Sequence, residues 1–289
     1  RFRRRPAGAR DAGAPGKAGA ALETGERLSP EGNAEIRDGK KAVILTAKLR
    51  LALAADDPDG MVETFSRMED LPPPRPRDPY HGDTLIQKAM YSLRLRDVQG
   101  GLAFGKNAAM IFQETSDPEG AARANCVIGL AMLAGDAPDE ATDYFRIGRE
   151  AAGEKYPLEN LRNVLLEGIA WFIRGNFSRV LEICPAAARA ADGMRMRRWS
   201  DAARFILARA YFELGEYEEA RKLLEFLTGE TRRLGMEAAE RVVSSWLGRC
   251  LAYRGDPAAG LDLLNGISFH PEALFFAAEA EFFRGNGDR

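Results

Sequence analysis

Apolar side chains recur every three to four residues along most of this chain, which is the spacing of one face of an α-helix. The first such segment covers about residues 34–54. The next begins at Pro58, where a proline is tolerated because the first N–H groups of a helix have no partner within it. From residue 83 onward, helical segments follow one another, separated by short turns containing Gly, Asp or Asn. The pattern contains no strands and predicts an all-α chain.

Two stretches lack this pattern and divide the chain. Residues 1–30 are mostly Ala, Gly, Arg and Pro, with little to pack, so we expect a disordered basic arm that either stays solvated or contacts phosphate or acidic lipid. Residues 71–82 contain five prolines and predict a stiff connection or a proline-rich ligand for another protein. Residues 31–70 then form a first helical hairpin, and residues 83–289 form the remaining repeats.

The turns between paired helical segments fall at a fixed interval. One residue from each turn gives the series Asp56, Arg96, Asp136, Gly175, Gly215 and Gly255. The steps of this series are 40, 40, 39, 40 and 40 residues. A fixed period of this kind indicates a solenoid, because one helical hairpin cannot bury its apolar face alone and needs stacked neighbours.

Two positions of this period hold mainly small residues. Seven residues before the turn stand Leu49, Ala89, Gly129, Gly168, Ala208 and Gly248. Five residues after it stand Met61, Gly101, Ala141, Val180, Ala220 and Gly260. Small side chains let the two helices of a hairpin approach closely. Gly100, Gly101 and Gly105 indicate either such an approach or a break in their helix, and Pro185 predicts a kink or an early end.

One repeat carries a family signature. The segment LARAYFELGEYEEARKLL resembles a tetratricopeptide repeat at Leu207, Ala208, Tyr211, Gly215, Tyr217 and Ala220. The resemblance covers roughly residues 34–285 and implies a right-handed α-solenoid of about six stacked antiparallel helix pairs. The 40-residue period exceeds the standard repeat of about 34 residues. The longer period implies longer helices or loops. In this respect the chain is similar to the divergent repeats of large bacterial regulators of the maltose-activator type.

The resemblance also implies a binding groove, because the first helices of tetratricopeptide hairpins line the concave surface. By that register the inward positions are Arg162, Leu165, Ile169, Phe172, Phe205, Arg209, Phe212 and Arg249, with Tyr253 adjacent. An aromatic floor with arginines suits a peptide or helix that carries acidic groups. The alternative is that longer helices bury these positions in repeat packing.

Two further clusters are candidate contact sites. Arg195, Arg197, Arg198 and Trp199 form either an anionic contact, in which Trp199 stacks on a partner or an arginine, or an inter-repeat loop with solvated arginines. Near the C-terminus an exposed apolar face is predicted at Phe275, Phe276, Phe282 and Phe283. Because a terminal repeat normally has a polar outer face, we expect an oligomer or further repeats to cover it.

Composition narrows the possible functions. The formal net charge of −2 argues against a globally basic nucleic-acid binder, so no nucleic acid is expected as a partner. The three cysteines are far apart, and neither histidine, His81 or His270, neighbours a nucleophile or a set of metal ligands. No phosphate-binding glycine motif follows a strand. We therefore expect no enzymatic activity and no cofactor.

The expected function is a protein-interaction scaffold or adaptor that binds a peptide, helix or partner subunit within a larger bacterial assembly. The alternative is a ligand- or peptide-sensing regulatory domain of a transcriptional or signalling protein. No apolar run is long enough to span a membrane, which favours a cytoplasmic location. The RFRRRP start, without an initiator Met, leaves open a membrane tether that lies outside this chain, since arginines flank the cytoplasmic ends of membrane helices.

Overall fold

The computed structural model describes residue 22 and residues 34–71, 80–267 and 271–286. The predicted basic arm, apart from Leu22, and most of the proline-rich connection lie outside the described residues. The described residues contain thirteen helices and no strand. In chain order the helices are α1 (Ala34–Ala55), α2 (Pro58–Glu69), α3 (His81–Arg94), α4 (Val98–Glu114), α5 (Pro118–Ala134), α6 (Pro138–Ala152), α7 (Pro157–Ile173), α8 (Phe177–Gly193), α9 (Arg197–Glu213), α10 (Tyr217–Arg233), α11 (Glu237–Tyr253), α12 (Pro257–Asn265) and α13 (Pro271–Asn286).

The chain divides into two compact units, Arg1–Glu159 and Asn160–Arg289. In the first unit, α1 pairs with α2, α3 with α4, and α5 with α6, while α3 also contacts α1 and α5. In the second unit, α7 and α8 share one core, α9 pairs with α10, and α11 pairs with α12. The last helix, α13, packs on both α11 and α12. The predicted all-α solenoid of stacked antiparallel helix pairs is confirmed.

From Arg96 to Asp136 and from Gly175 to Gly255, a turn occurs every 20 residues, so further turns lie halfway between those counted from the sequence. All six counted turn residues have positive φ, between 52° and 103°. The same conformation occurs at Ser116, Arg195 and Gly235, in turns that join one hairpin to the next. From α4 to α11 every helix except α6 has 17 residues, and three residues form the common turn. Long helices therefore account for the 40-residue period, which contains two equivalent halves.

The same backbone hydrogen bond closes the turn at each of the six counted residues. At Gly215, the N–H of Glu216 donates to the carbonyl of Tyr211 at 2.9 Å, which ends α9 in a Schellman-type cap. Three helices of the first unit, α2, α4 and α5, also start at an Asp side chain that accepts the N–H three residues on, at distances of 2.9 to 3.1 Å. These N-caps are Asp57, Asp97 and Asp117.

The small residues of the repeat mark where paired helices touch. All twelve residues at the two positions named above are buried. A Cβ added to Gly248 would lie 2.6 Å from Cγ of Leu264, and one added to Gly260 would lie 2.6 Å from the carbonyl oxygen of Gly248. The predicted close approach of helices is thus confirmed at this pair.

The glycines of α4 do not break the helix, which runs unbroken from Val98 to Glu114. A Cβ on Gly105 would lie 2.9 Å from the side chain of Ile128, so close packing is the reason for this glycine. Pro185 also lies inside an uninterrupted helix, α8, and the predicted early end there is wrong.

The starts of two helices bear on the sequence predictions. Helix α3 begins at His81, within the predicted connection at residues 71–82, and the carboxylate of Asp83 in its first turn pairs with Arg123 at 2.8 Å. Helix α9 begins at Arg197, so Arg198 and Trp199 lie in its first turn. The arginine cluster is therefore largely helical and not a loop.

Candidate binding surface

Arg209 projects from α9 into a sandwich of aromatic rings. Its guanidinium carbon lies 4.4 Å from the ring centroid of Phe172 on α7 and 4.5 Å from that of Trp246 on α11. Phe205, one turn earlier on α9, lies at 5.9 Å. Guanidinium groups stack on such ring faces because the π-electron density attracts the cation. Three successive first helices thus hold this side chain in place.

No carboxylate of the described residues pairs with Arg209. Its Nε is buried without an acceptor, and no hydrogen bond or ion pair reaches its guanidinium group from any described residue. Burial is the largest effect on the pKa of Arg209 and lowers it; the charges of Glu272 and Glu213 raise it, and the charge of Arg249 lowers it further. The group is a partly desolvated cation whose hydrogen-bond donors are unused within the described chain.

Arg249 occupies the same repeat position one period later and has similar surroundings. Its guanidinium carbon lies 4.8 Å from the ring centroid of Phe212 and 4.6 Å from that of Phe276. Trp246 lies at 5.2 Å. Unlike Arg209, this arginine has an acid partner: its Nε and Nη2 donate to the two carboxylate oxygens of Glu279, at 2.8 and 3.1 Å.

Glu279 belongs to α13 and is held from a second side. The hydroxyl of Tyr253 donates to its Oε1 at 3.3 Å. The side chains of Arg249 and Glu279 are only 17% and 21% exposed, so solvent screens their ion pair weakly. The pair therefore shows how an arginine at this repeat position binds a carboxylate.

Seven of the nine predicted groove residues fall into three groups. Arg209, Phe172 and Phe205 lie together, as do Arg249 and Tyr253. Leu165 and Phe212 are buried at 6% and 5% exposure, so the structure contradicts the expectation that they line an open groove. Both are packed in the hydrophobic core of the second unit, because neighbouring helices cover these positions.

The remaining two predicted groove residues have other contacts in the structure. Ile169 is a half-buried residue packed against the core of α7 and α8. The guanidinium carbon of Arg162 lies 5.8 Å from the ring centroid of Trp199. The sequence analysis did not assign Trp246, Phe276 or Glu279 to this surface, although Trp246 and Phe276 close the two sandwiches and Glu279 pairs with Arg249. None of the three recurs with the repeat, so the period could not reveal them.

Two of the four residues of the predicted anionic contact, Arg197 and Trp199, have partners within the protein. Arg197 pairs with Glu230 on α10 and lies 3.5 Å from Asp201, and Trp199 is half-buried under Arg162. Arg195, in the turn, and Arg198 are exposed. The four residues therefore do not present one continuous basic surface.

A cleft of about 340 Å³ opens beside this cluster. Its lining consists of Asp192, Arg195, Arg197, Asp201, Arg204 and Phe226. Arg204 donates to Asp192 at 2.5 Å, and the Ser200 hydroxyl donates to the same carboxylate at 2.6 Å. The hydrogen bond from Ser200, followed by that from Arg204, lowers the pKa of Asp192. Most of the charge in the cleft is thus paired internally.

The apolar residues of α13 face in different directions. Phe275 and Phe282 are 61% and 67% exposed, and Leu274 beside them is also exposed. Phe276 is buried against Trp246, with ring centroids 5.2 Å apart, and Phe283 packs on Tyr253 at 4.8 Å. The expectation that all four phenylalanines form the exposed face is therefore wrong for Phe276 and Phe283.

The described residues contain no group of three or more His, Cys, Asp or Glu side chains placed to hold a metal ion. No helix in that part of the chain is both long and apolar enough to span a membrane.

Comparison with known proteins places the fold. No family model matches the chain, and no curated protein matches it either. Among solved structures, it is similar to the STAND protein with a tetratricopeptide repeat sensor from Pyrococcus horikoshii, at a TM-score of 0.68 and 13% identity. That match covers 85% of this chain but only 41% of the STAND protein.

Two other solved structures give the same result. A Rap protein complexed with Competence and Sporulation Factor matches at a TM-score of 0.65 and 12% identity, over 92% of this chain and 74% of that one. A putative kinesin light chain from Podospora anserina with tetratricopeptide-like repeats matches at 0.59 and 15% identity, over 68% and 96%. At such low identity the likeness shows the fold alone. The fold is tetratricopeptide-repeat-like.

Proposed function

We propose that this protein is a non-enzymatic interaction scaffold or adaptor that binds an acidic peptide, helix or partner subunit through the first helices of its second unit. The observation that carries this proposal is Arg209, whose guanidinium is fixed between Phe172 and Trp246 and has no acceptor among the described residues. Keeping a partly buried charge without a partner costs free energy. A ligand carboxylate bound there would recover that cost.

The chemistry of the site favours a carboxylate. Arginine presents planar, parallel N–H donors that match the two oxygens of a carboxylate. The aromatic rings fix the plane of the guanidinium, so little conformational entropy remains to be lost on binding. The flanking rings also offer apolar contact area to the rest of a peptide.

The solved neighbours support a peptide as ligand. One Rap protein was solved with Competence and Sporulation Factor, and the Rap conjugation gene regulator of plasmid pLS20 was solved with the Phr* peptide. These complexes also favour the second candidate, a peptide-sensing regulatory domain. The STAND protein, which is described as having a tetratricopeptide repeat sensor, favours it as well. Both candidates require the same binding event.

Binding of a defined acidic peptide tests this proposal. The probe is a fluorescein-labelled Ala-Glu decapeptide with an amidated C-terminus, and the Ala-Gln analogue is the control peptide. We expect Arg209→Met to weaken Ala-Glu binding by about tenfold or more, since a hydrogen bond to a charged group contributes roughly 1.5–3 kcal/mol.

Arg189→Met is the matched control variant, because Arg189 is an exposed arginine on the second helix of its hairpin. It removes the same charge and should leave the affinity within about twofold, as exposed charges are screened by solvent and salt. Equal binding of the two peptides, or equal loss in the two variants, would refute the proposal.

A further inference from the structure

We infer that Arg249 is a second carboxylate receptor on the same surface, held closed by Glu279 of the protein's own last helix. This inference rests on the proposed function and deepens it. A ligand with two acidic groups would bind Arg209 directly, and would reach Arg249 only by displacing Glu279.

The two arginines have the same construction. They stand 40 residues apart, and each is stacked on the phenylalanine three residues before the preceding turn, Phe172 or Phe212. Each is then covered from the following first helix, by Trp246 or Phe276 respectively. The repeat therefore builds two equivalent guanidinium platforms, which share the ring of Trp246.

The occupants of the two platforms differ. Three residues after Phe276, the following helix supplies Glu279, whose carboxylate accepts hydrogen bonds from Nε and Nη2 of Arg249. Three residues after Trp246, the corresponding residue is Arg249 itself. The helix position that supplies Glu279 to Arg249 is therefore occupied, next to Arg209, by the positively charged Arg249. The surface carries two arginines and one acid in direct contact with them.

Glu279 binds Arg249 in the way that a ligand carboxylate would. The pairing uses both carboxylate oxygens, and Tyr253 adds a third hydrogen bond. An internal competitor of this kind acts at a high effective concentration, on the order of millimolar for a tethered group. Its removal should expose Arg249 to ligand while Phe276 remains as an apolar anchor of α13.

The test measures the same fluorescein-labelled Ala-Glu decapeptide on wild type, Glu279→Gln, and Glu279→Gln combined with Arg249→Met. We expect Glu279→Gln to bind the decapeptide about tenfold more tightly, in line with a gain of roughly one charged hydrogen-bond pair. The double variant should return to the wild-type affinity. A decapeptide with a single Glu should gain no more than about twofold, because it can occupy only one of the two arginines at a time.

NMR of the arginine Nε–H groups provides a readout that does not depend on affinity. The Arg249 signal should be protected from exchange in wild type, lose protection in Glu279→Gln, and regain it when the Ala-Glu peptide is added. A parallel titration with a free rather than amidated C-terminus distinguishes a terminal carboxylate from a side-chain one as the bound group.

The outcomes separate this inference from the proposed function. If Arg209→Met weakens binding but Glu279→Gln changes neither the affinity nor the Arg249 signal on adding peptide, only the inference is overturned. If neither variant alters Ala-Glu binding, the proposed function fails as well. Thermal unfolding of Glu279→Gln and of Glu279→Ala controls for displacement of α13, and a gain that persists in the Arg249→Met double variant also overturns the inference.

Discussion

The guanidinium groups of Arg209 and Arg249 both lie against the ring of Trp246, at 4.5 and 5.2 Å from its centroid. They occupy the same position in consecutive repeats, yet within the described parts of the chain a carboxylate, that of Glu279, pairs with Arg249 and none pairs with Arg209. Both guanidinium groups are stacked on aromatic rings, but a carboxylate of the described residues neutralises only that of Arg249. A comparison of the two residues therefore isolates what an internal acid contributes on this surface.

Substitution by methionine should lower the free energy of unfolding at Arg249 but not at Arg209. Arg209→Met removes a partly buried charge without a partner, so the free energy of unfolding should stay constant or rise by about 1 kcal/mol. Arg249→Met leaves the Glu279 carboxylate largely buried and unpaired, so the free energy of unfolding should fall by about 2 kcal/mol. Urea unfolding followed by circular dichroism measures both.

The double variant Arg249→Met with Glu279→Gln serves as the control, because it removes both charges and should recover much of the loss. A loss of the same size in Arg209→Met and Arg249→Met would contradict the assignment of Arg209 as an uncompensated receptor.

The turn at Gly215 gives a second matched comparison. Gly215 has φ 78°, and no atom lies near the position of an added Cβ, so Gly215→Ala acts only through the backbone. We expect a loss of about 1 kcal/mol or more, since L-residues disfavour this conformation. Gly229, inside α10, also has free space around it and should give a gain of about 0.5–1 kcal/mol on substitution by Ala.

Differential scanning calorimetry of the two alanine variants would show the opposite shifts as changes in melting temperature. An unchanged melting temperature for Gly215→Ala would argue against the described turn geometry, and a lower one for Gly229→Ala would argue against the free space around that residue.

The repeat could be predicted from the sequence because its causes are local. A helical hairpin needs a small residue where its helices touch and a turn residue that tolerates positive φ, and both requirements recur in register at Ala208, Gly215 and Ala220. The equivalence of the two kinds of turn was not predicted. Arg195 and Ser116 adopt the same conformation as the turn glycines, but their side chains give no signal of it.

The candidate surface could be predicted only in part. The register pointed to Arg209 and Arg249, because a helical face is set by spacing alone. The burial of Phe212 and the pairing of Arg249 with Glu279 depend on which residues the following helix brings, and that helix departs from the period. The contacts made by α13 therefore could not be predicted from the repeat period.

The cysteines should be inert in the folded protein. Burial raises the pKa of Cys184 to about 12 and, as the largest effect on that group, the pKa of Cys250 to about 11. Cys126 is buried as well. At pH 8 the reactive thiolate is therefore scarce in the folded state, whereas an unfolded thiol has a pKa near 8.5. Ellman's reagent should label all three thiols in urea and react slowly without it.

The raised pKa values of Cys184 and Cys250 also make the stability of the fold depend on pH. The folded state holds these protons more tightly than the unfolded state, so their stabilising contribution is complete below about pH 8.5 and falls as the pH rises toward 11. Unfolding in urea at pH 7, 9 and 10 measures this loss. Rapid labelling of a thiol at pH 8 in the absence of urea would contradict the described burial.

The exposed face of α13 should promote association. Phe275 and Phe282 are both more than 60% exposed on one helix, and a contiguous apolar patch of this kind is typical of an interaction site. We expect the sedimentation coefficient to rise with protein concentration, and the double variant Phe275→Glu with Phe282→Glu to remain monomeric. Met110→Glu, at a singly exposed apolar residue of α4, is the control.

Concentration-independent sedimentation of the wild type, or association that persists in the double variant, would exclude self-association through this face.

Helix α12 has 9 residues, whereas α8, α10 and most other helices have 17. At 1.5 Å per residue, the missing eight residues or so amount to roughly 12 Å of helix. This shortening returns the chain early and sets α13 directly on α11, where Glu279 reaches Arg249. The length of α12 thus determines whether Glu279 neutralises Arg249, and so how much positive charge this surface presents to a partner. Lengthening α12 by two turns would change the charge that a ligand meets without altering any residue of the surface itself.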